Sequence, residues 1–258
     1  MCIRDRGLYS RLCVHELVGQ ERPAFDFSSA GKLLVYQDAA SYGRALAQMD
    51  YQASLGCKQR ALDRQACLDL EPALADIGAS IAGAIYTPTE DAGDCLRLCD
   101  ELARILRAAP GPARFHFNTP VSALRTENGR IVALSTPDGD LQADHYVLAG
   151  GTGAQALARR IGLDLRIYPL KGYSLTYDLT PDSVAPVSSI SDIGRKVVYA
   201  RLGQRLRVAG MVDIGAQDAH IDPRRVQCLR DDVARFFPRL NPAAVSYTHL
   251  TLPTKRIV

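Results

Sequence analysis

The chain has 258 residues, 47% of them hydrophobic, and a formal net charge of +3, which is length and apolar content enough for one large domain or two modest ones. The charge excess belongs to the ends: Arg4, Arg6, Lys255 and Arg256 against Asp5 account for all of it, leaving 27 basic (31 less 4) and 27 acidic (28 less 1) residues between them. A neutral interior gives no bulk attraction to nucleic acid or to an anionic membrane surface, and no apolar run is long enough to cross a bilayer.

The two ends read as foreign to the rest. MCIRDR (1–6) and VSYTHLTLPTKRIV (245–258) back-translate into sequences resembling the two strands of a transposon-derived sequencing adapter. They are expected to be processing scars without packed partners, set aside from fold reasoning, which makes residues 7–244 an internal fragment.

In chain order, GKLLVY reads as a short strand, followed from Asp38 by a helix with Tyr42, Ala45, Leu46 and Met49 on one face. AGAIYTP is the next strand. TEDAGDC then leads into a second helix, with Asp94 as N-cap and Leu96, Cys99, Leu102, Ala103 and Leu106 as the expected buried stripe. Glu90, Asp91 and Asp94 are read as helix-capping carboxylates rather than a metal cluster. After ARFHF, three short strands are joined by turns carrying Asn128-Gly129 and Asp138-Gly139, which supply the positive φ that tight hairpins need. This meander runs into a predicted strand HYVLAG, the glycine-rich turn GGTGAQA and a helix from about Ala154. Gly151, Gly153 and Ala156 spell G-x-G-x-x-A, but no acidic residue closes a second strand about 20 residues on, as a dinucleotide fingerprint requires.

From Leu165 the pattern becomes antiparallel sheet: LRIYPLKGYSLTYDL, PVSSIS, KVVYAR and RLRVAGM. Glycine inside YPLKGYSLT marks a bulge or the close approach of a ligand. A last helix starts at Asp222-Pro223, with Val226, Leu229, Val233 and Phe236 as its core face. His116 alternates with Phe115 and Phe117 and points away from the core. The seven cysteines include no C-x-x-C pair, and Cys95 and Cys99 share a helix face with no histidine nearby in sequence to complete a metal site. They read as buried free thiols of a reducing cytoplasm, with no metal implied.

LEPAL (70–74), EDAGDC (90–95), RFHFNTPV (114–121), YPLKGYSLT (168–176), APVSSI (185–190) and RLRVAGM (205–211) follow one another in an order and spacing, from about Gly31 to Pro238, that resembles the small subunit of bacterial D-amino acid dehydrogenases, in the FAD-dependent D-amino acid oxidase superfamily. The resemblance implies an α/β fold of mixed α+β character. A partial FAD-binding Rossmann-like domain with the meander (91–164) would lie between two parts of a substrate domain (7–90 and 165–244) built on a mixed, mostly antiparallel sheet. It implies FAD as cofactor, with the G-x-G-x-x-G unit and the C-terminal arginine-bearing segment lying outside this fragment. It further implies oxidative deamination of D-amino acids by hydride transfer from Cα to flavin N5, electrons passing to a respiratory acceptor, and peripheral association with the inner face of the cytoplasmic membrane.

Residue by residue, the resemblance carries cofactor contacts to Val121, through its strand backbone, and to Gly150 and Gly151. It places Lys171, Gly172 and Tyr173 near the reactive face of the flavin. Tyr173 and Tyr199 become candidate hydroxyl partners of the substrate carboxylate, Met211 a wall of the side-chain pocket, and Lys171 a substrate-side cation or the partner of a carboxylate. No residue is assigned acid, base or nucleophile chemistry. A related amine oxidase of the glycine or sarcosine type, and a non-redox binding module, are the alternatives at this point.

Overall fold

The computed structural model describes residues 3–111, 113–215, 220–240, 245–251 and 254–256, including the side chains of 5–111, 113–215 and 220–240. The elements in order are α1 (Ile3–Glu21), β1 (Lys32–Tyr36), α2 (Ala39–Ser54), β2 (Arg60–Leu62), α3 (Arg64–Leu70), a 3-10 segment (Pro72–Ser80), β3 (Gly83–Thr87), α4 (Cys95–Ala108), β4 (Ala123–Glu127), β5 (Arg130–Thr136), β6 (Gly139–Leu141), α5 (Ala154–Arg159), β7 (Ile167–Asp178), β8 (Ser189–Asp192), β9 (Val197–Leu202), β10 (Arg205–Ile214), α6 (Pro223–Phe236), β11 (Val245–Thr251) and β12 (Thr254–Arg256). The chain divides into two compact units that interleave in sequence. The first comprises Met1–Ala113, Leu175–Gly210 and Gln227–Thr248, and the second Arg114–Ser174, Met211–Val226 and His249–Val258.

The first unit is built on a mixed sheet in the order β7-β10-β9-β8-β1-β3-β2. Its central pair is parallel, Lys32 facing Ser189 and Val35 facing Asp192, while β1–β3, β2–β3, β8–β9 and β9–β10 are antiparallel. Leu33, Val35, Ile190, Leu206 and Val208 are buried in it, as β-branched and aliphatic residues on a pleated sheet should be. Leu229, Val233 and Phe236 of α6 are buried, as their spacing predicts. Tyr42, Ala45, Leu46 and Met49 of α2 are half-buried. Side-chain oxygens of Asp38 and Asp94 cap α2 and α4, each satisfying two of the N–H groups that a helix start leaves open.

Asp94 is a cap, then, and also meets Arg205 at 2.7 Å, while Asp91 takes Arg11 at 2.7 Å and His15 at 2.8 Å. The expected stripe of α4 is different in outcome: none of its residues is buried, and Leu96 and Leu106 are 66% and 47% exposed. The amphipathic spacing is present, but among the described residues the face is covered only in part, at the half-buried Leu102 and Ala103. The helix groups with the first unit, whose first segment ends at Ala113.

The second unit contains the meander β4-β5-β6. Its first turn is the Asn128-Gly129 pair, at φ of 50° and 74°, and Gly139 of the second turn sits at 112°, conformations that the turn residues make accessible. Residues 145–150 do not form the predicted strand. The VLA run has strand character, but no neighbouring strand among the described residues pairs with it, and Val147 is 90% exposed. Phe115, His116 and Phe117 are likewise all exposed, with the two phenylalanine rings stacked at 5.8 Å.

Two further expectations need correction or restatement. Among the described cysteines only Cys67 is buried, its thiol pushed up to about 11 by burial; Cys95 and Cys99 are exposed. The ends expected to lack packed partners carry secondary structure: α1 begins at Ile3, and β12 pairs antiparallel with Ile167–Pro169 of β7. Threonine, valine and tyrosine favour strand whatever the origin of the segment. The packing of Tyr247 and Leu250 lies outside the described residues. No helix among those described is long and apolar enough to cross a membrane.

Candidate functional site

The sequence singles out β7, and within the second unit its residues Lys171 and Tyr173 are both buried, at 4% and 2% exposure. A buried lysine and a buried phenol need partners, because an unsatisfied polar group in a packed interior costs free energy. The Tyr173 hydroxyl donates to Asp213 Oδ2 at 2.8 Å. The other carboxylate oxygen of Asp213 receives Arg225 Nη2 at 2.6 Å. The Lys171 Nζ lies 5.8 Å from the centre of the Tyr173 ring. Burial and then the Asp213 carboxylate raise the phenol above its ordinary value, while Lys171 acts in the opposite direction. The phenol therefore stays protonated near neutrality.

Met211 accounts for the placement of Asp213. In the first half of β10, Leu206 and Val208 are fully buried, whereas Val212 and Ile214 in the second half are 55% and 81% exposed. The alternation reverses at Met211, which sits at φ 59° inside the strand. A residue in the left-handed region breaks the two-residue period much as a bulge does. Met211 itself is half-buried.

Tyr199, the second hydroxyl candidate, belongs to the core of the first unit. It is fully buried, its ring packs on Phe236 and Phe237 at 5.0 and 5.1 Å, and its hydroxyl donates to the Asp232 carbonyl at 3.3 Å. Burial pushes this phenol far up, with Asp232 and Asp192 adding to it. The expectation of a substrate contact is corrected accordingly: an enclosed hydroxyl with a backbone partner has no donor to offer. Tyrosines on strands commonly take this role.

The cofactor candidates meet elsewhere in the second unit. Val121 and Gly150 line one cavity of about 410 Å³ together with Leu124, Ile131, Leu134 and Tyr146. Val121 lies two residues before β4, with Ser122 N–H already donating to the Ser135 carbonyl at 2.9 Å. Gly151 has φ 57°, which suits the tight entry into α5. A Cβ on Gly150 would sit 3.5 Å from its nearest neighbour, an ordinary contact, so at this position the described chain itself does not demand glycine. The cavity lining is mostly apolar, includes Gln142 and His145, and carries no lysine or arginine.

Three polar residues with partners distant in sequence or packed against another element escaped the sequence reading. Asp213 stands in the apolar run MVDI, where a lone carboxylate is a signal of a buried partner. Arg225 is one of two adjacent arginines at the start of α6, and nothing in the sequence chooses between them. Glu71, inside LEPAL, is 1% exposed and accepts two backbone N–H groups of the APVSSI segment.

A family model described as FAD dependent oxidoreductase (DAO) matches residues 4–254. The chain is 43% identical over 219 residues to D-amino acid dehydrogenase 2 of Ralstonia nicotianae, covering 83% of this chain and 51% of that protein. It is 38% identical over 232 residues to a D-amino acid dehydrogenase of Paramagnetospirillum magneticum, covering 90% and 54%. Among solved structures, glycine oxidase from Geobacillus kaustophilus superposes with a TM-score of 0.84 at 21% identity, covering 96% of this chain and 66% of that one. L-proline dehydrogenase from P. horikoshii does so with 0.80 at 15% identity, covering 94% and 65%. These likenesses show the fold. The chain spans about half the length of the curated relatives it matches.

Proposed function

Because the chain belongs to the DAO family of FAD-dependent oxidoreductases, we propose that it is the central part of an enzyme that oxidatively deaminates D-amino acids to 2-oxo acids and ammonia. The observation that carries this reading is identity of 38–43% to D-amino acid dehydrogenases over more than four fifths of the chain. When bound, FAD supplies the acceptor for the hydride leaving Cα. In this reading Val121 and Gly150 hold the apolar end of the cofactor, and β7 presents Lys171 and Tyr173 toward the substrate. The protein's part is placement: the carboxylate and Cα must be held in register with the ring. Electrons pass to a respiratory acceptor, with the enzyme peripheral to the inner face of the cytoplasmic membrane.

The test is a graft. Residues 31–238, placed between the flanking segments of the Ralstonia nicotianae relative, should give a yellow protein whose flavin is bleached anaerobically by D-alanine. Bleaching by glycine or sarcosine with no response to D-alanine would overturn the assignment in favour of an amine oxidase, and a soluble graft with bound flavin that no amine reduces would refute both.

A further inference from the structure

The register of the first unit's sheet lays its residues in rows across β1, β8, β9 and β10. Leu33 faces Ile190, Ile190 faces Tyr199 and Tyr199 faces Val208, and all of these are fully buried. This is the face that α6 covers, since Phe236 packs on Tyr199 at 5.0 Å. Successive residues of a strand point to opposite faces, so the rows on either side of that one belong to the other face. One of them runs Leu34, Ser191, Val198, Ala209. The other joins Lys32 to Ser189 and Ala200 to Arg207, with Ser189 beside Ala200 one step further along the β8–β9 ladder. Apart from Ser191 these residues are half-buried, so this face is covered less closely, and it belongs wholly to the first unit.

The two rows differ in chemistry. Lys32 and Arg207 end the first, three strands and about 14 Å apart, with only a serine and an alanine between them. Arg207 Nε reaches Thr176 Oγ1 at 3.4 Å, which leaves its terminal nitrogens, and Lys32 has no hydrogen bond or ion pair among the described residues. Asp94 feels the charge of Arg207 but is already held by Arg205 at 2.7 Å and by two amides of α4. The second row is apolar apart from Ser191. Two half-buried cations beside an apolar row complement an anion with a short apolar tail.

We propose that this face binds a 2-oxo monocarboxylate with a short apolar side chain, its carboxylate on Arg207 and Lys32 and its tail over Val198 and Ala209. That the ligand is the product of the reaction rests on the reading of the chain as part of a D-amino acid-oxidising enzyme; the binding itself does not. Neither row carries an acidic residue. The ammonium of an amino acid therefore has no counter-charge here, and the oxo acid is held in preference to the amino acid it comes from.

Calorimetric titration of the chain as written, without flavin, tests this apart from the graft. Pyruvate and 2-oxobutyrate should bind saturably in the millimolar range, and D-alanine and inorganic phosphate several-fold more weakly. Arg207→Met should weaken pyruvate by about tenfold or more, the loss of a charge-assisted bond, and Lys32→Met should weaken it less. Arg130→Met, which removes an exposed arginine of β5, should leave it unchanged. A graft that no amine reduces, with pyruvate still bound by the chain, would remove the reaction and keep the site. Absence of saturable pyruvate binding, D-alanine or phosphate bound as tightly as pyruvate, or an equal loss in Arg130→Met overturns the proposal. Should Arg207→Met fail to fold, unchanged binding in Lys32→Met does so.

Discussion

One oxygen of Glu71 accepts the backbone N–H groups of Val187 and Ser188, at 3.0 and 2.9 Å, across 116 and 117 residues of chain. The carboxylate lies where α3 gives way to the 3-10 segment, and the amides lie on the approach to β8. Two segments that carry the family resemblance, LEPAL and APVSSI, are thus joined by a single side chain. Replacing Glu71 by alanine leaves the buried Ser188 amide without an acceptor, at a cost of about 1–3 kcal/mol. Glu71→Gln keeps a carbonyl oxygen in place and should stay within about 1 kcal/mol of the parent. Urea denaturation of both variants measures the difference; equal losses would show that the oxygen is not what matters.

The same residue makes the comparison depend on pH. Burial raises the Glu71 carboxyl above its ordinary value of 4.5, and the Ser188 and Val187 amides pull it back only in part. A raised carboxyl binds its proton more firmly in the folded state, so its stabilising effect is full below 4.5 and lost as pH rises through the folded value. Glutamine does not titrate. The stability of Glu71→Gln relative to the parent should therefore rise between pH 4 and neutrality, and a flat difference over that range contradicts the assignment.

Asp94 has two tasks in the first unit, capping α4 and meeting Arg205 at 2.7 Å. Burial opposes its ionisation, but hydrogen bonds from Arg205 and Arg97 bring the carboxyl below the usual 3.8. The stabilisation it provides is present above that value and fades as pH falls through the lowered one. Asp94→Ala should cost about 1–3 kcal/mol, more than a cap alone. Asp94→Asn retains the cap and should cost less, and calorimetry of the two variants at neutral pH separates the contributions.

Lys196 is exposed and sits at φ 59° in the turn between β8 and β9, with its N–H donating to the Asp192 carbonyl at 2.8 Å. An L-residue with a Cβ is strained there by about 1–2 kcal/mol. Lys196→Gly should raise stability by about 1 kcal/mol and Lys196→Ala should not, as thermal melts would show. A gain from alanine equal to that from glycine would mean that the lysine charge, rather than the backbone, is the source.

The chain purified on its own should carry little FAD. The residues lining the cavity of Val121 and Gly150 include no lysine or arginine to pair with a pyrophosphate. Absorbance near 450 nm in a one-to-one ratio with protein would disprove this.

Local chemistry was legible in the sequence wherever one residue decides the outcome. Asp38 and Asp94 cap helices, Asn128-Gly129 turns a hairpin, and the 3.6-residue spacing in α6 marks a buried face, because each of these needs only near neighbours. What escaped depends on partners distant in sequence. HYVLAG has strand composition, but a strand also requires a neighbour to bond with, and the apolar stripe of α4 leaves Leu96 66% exposed. Tyr173 stands out in the sequence by its place in YPLKGYSLT, yet the direction of its proton follows from Asp213, 40 residues on. Tyr199 reads the same way in sequence and is core, since the rings of Phe236 and Phe237 that enclose it come from the far end of α6.

The parallel pairing of β1 with β8 has a bearing on biosynthesis. β1 can pair with β3 soon after both leave the ribosome, but its other edge waits for Ser189–Asp192, about 157 residues later. At translation rates of roughly 5–20 residues per second, the Leu33 and Val35 edge stays open for on the order of 10–30 s in every nascent chain. That interval is long against hairpin formation, so it is the period in which a chaperone has most to protect, and mutations that slow synthesis before residue 189 would lengthen it without touching the folded protein.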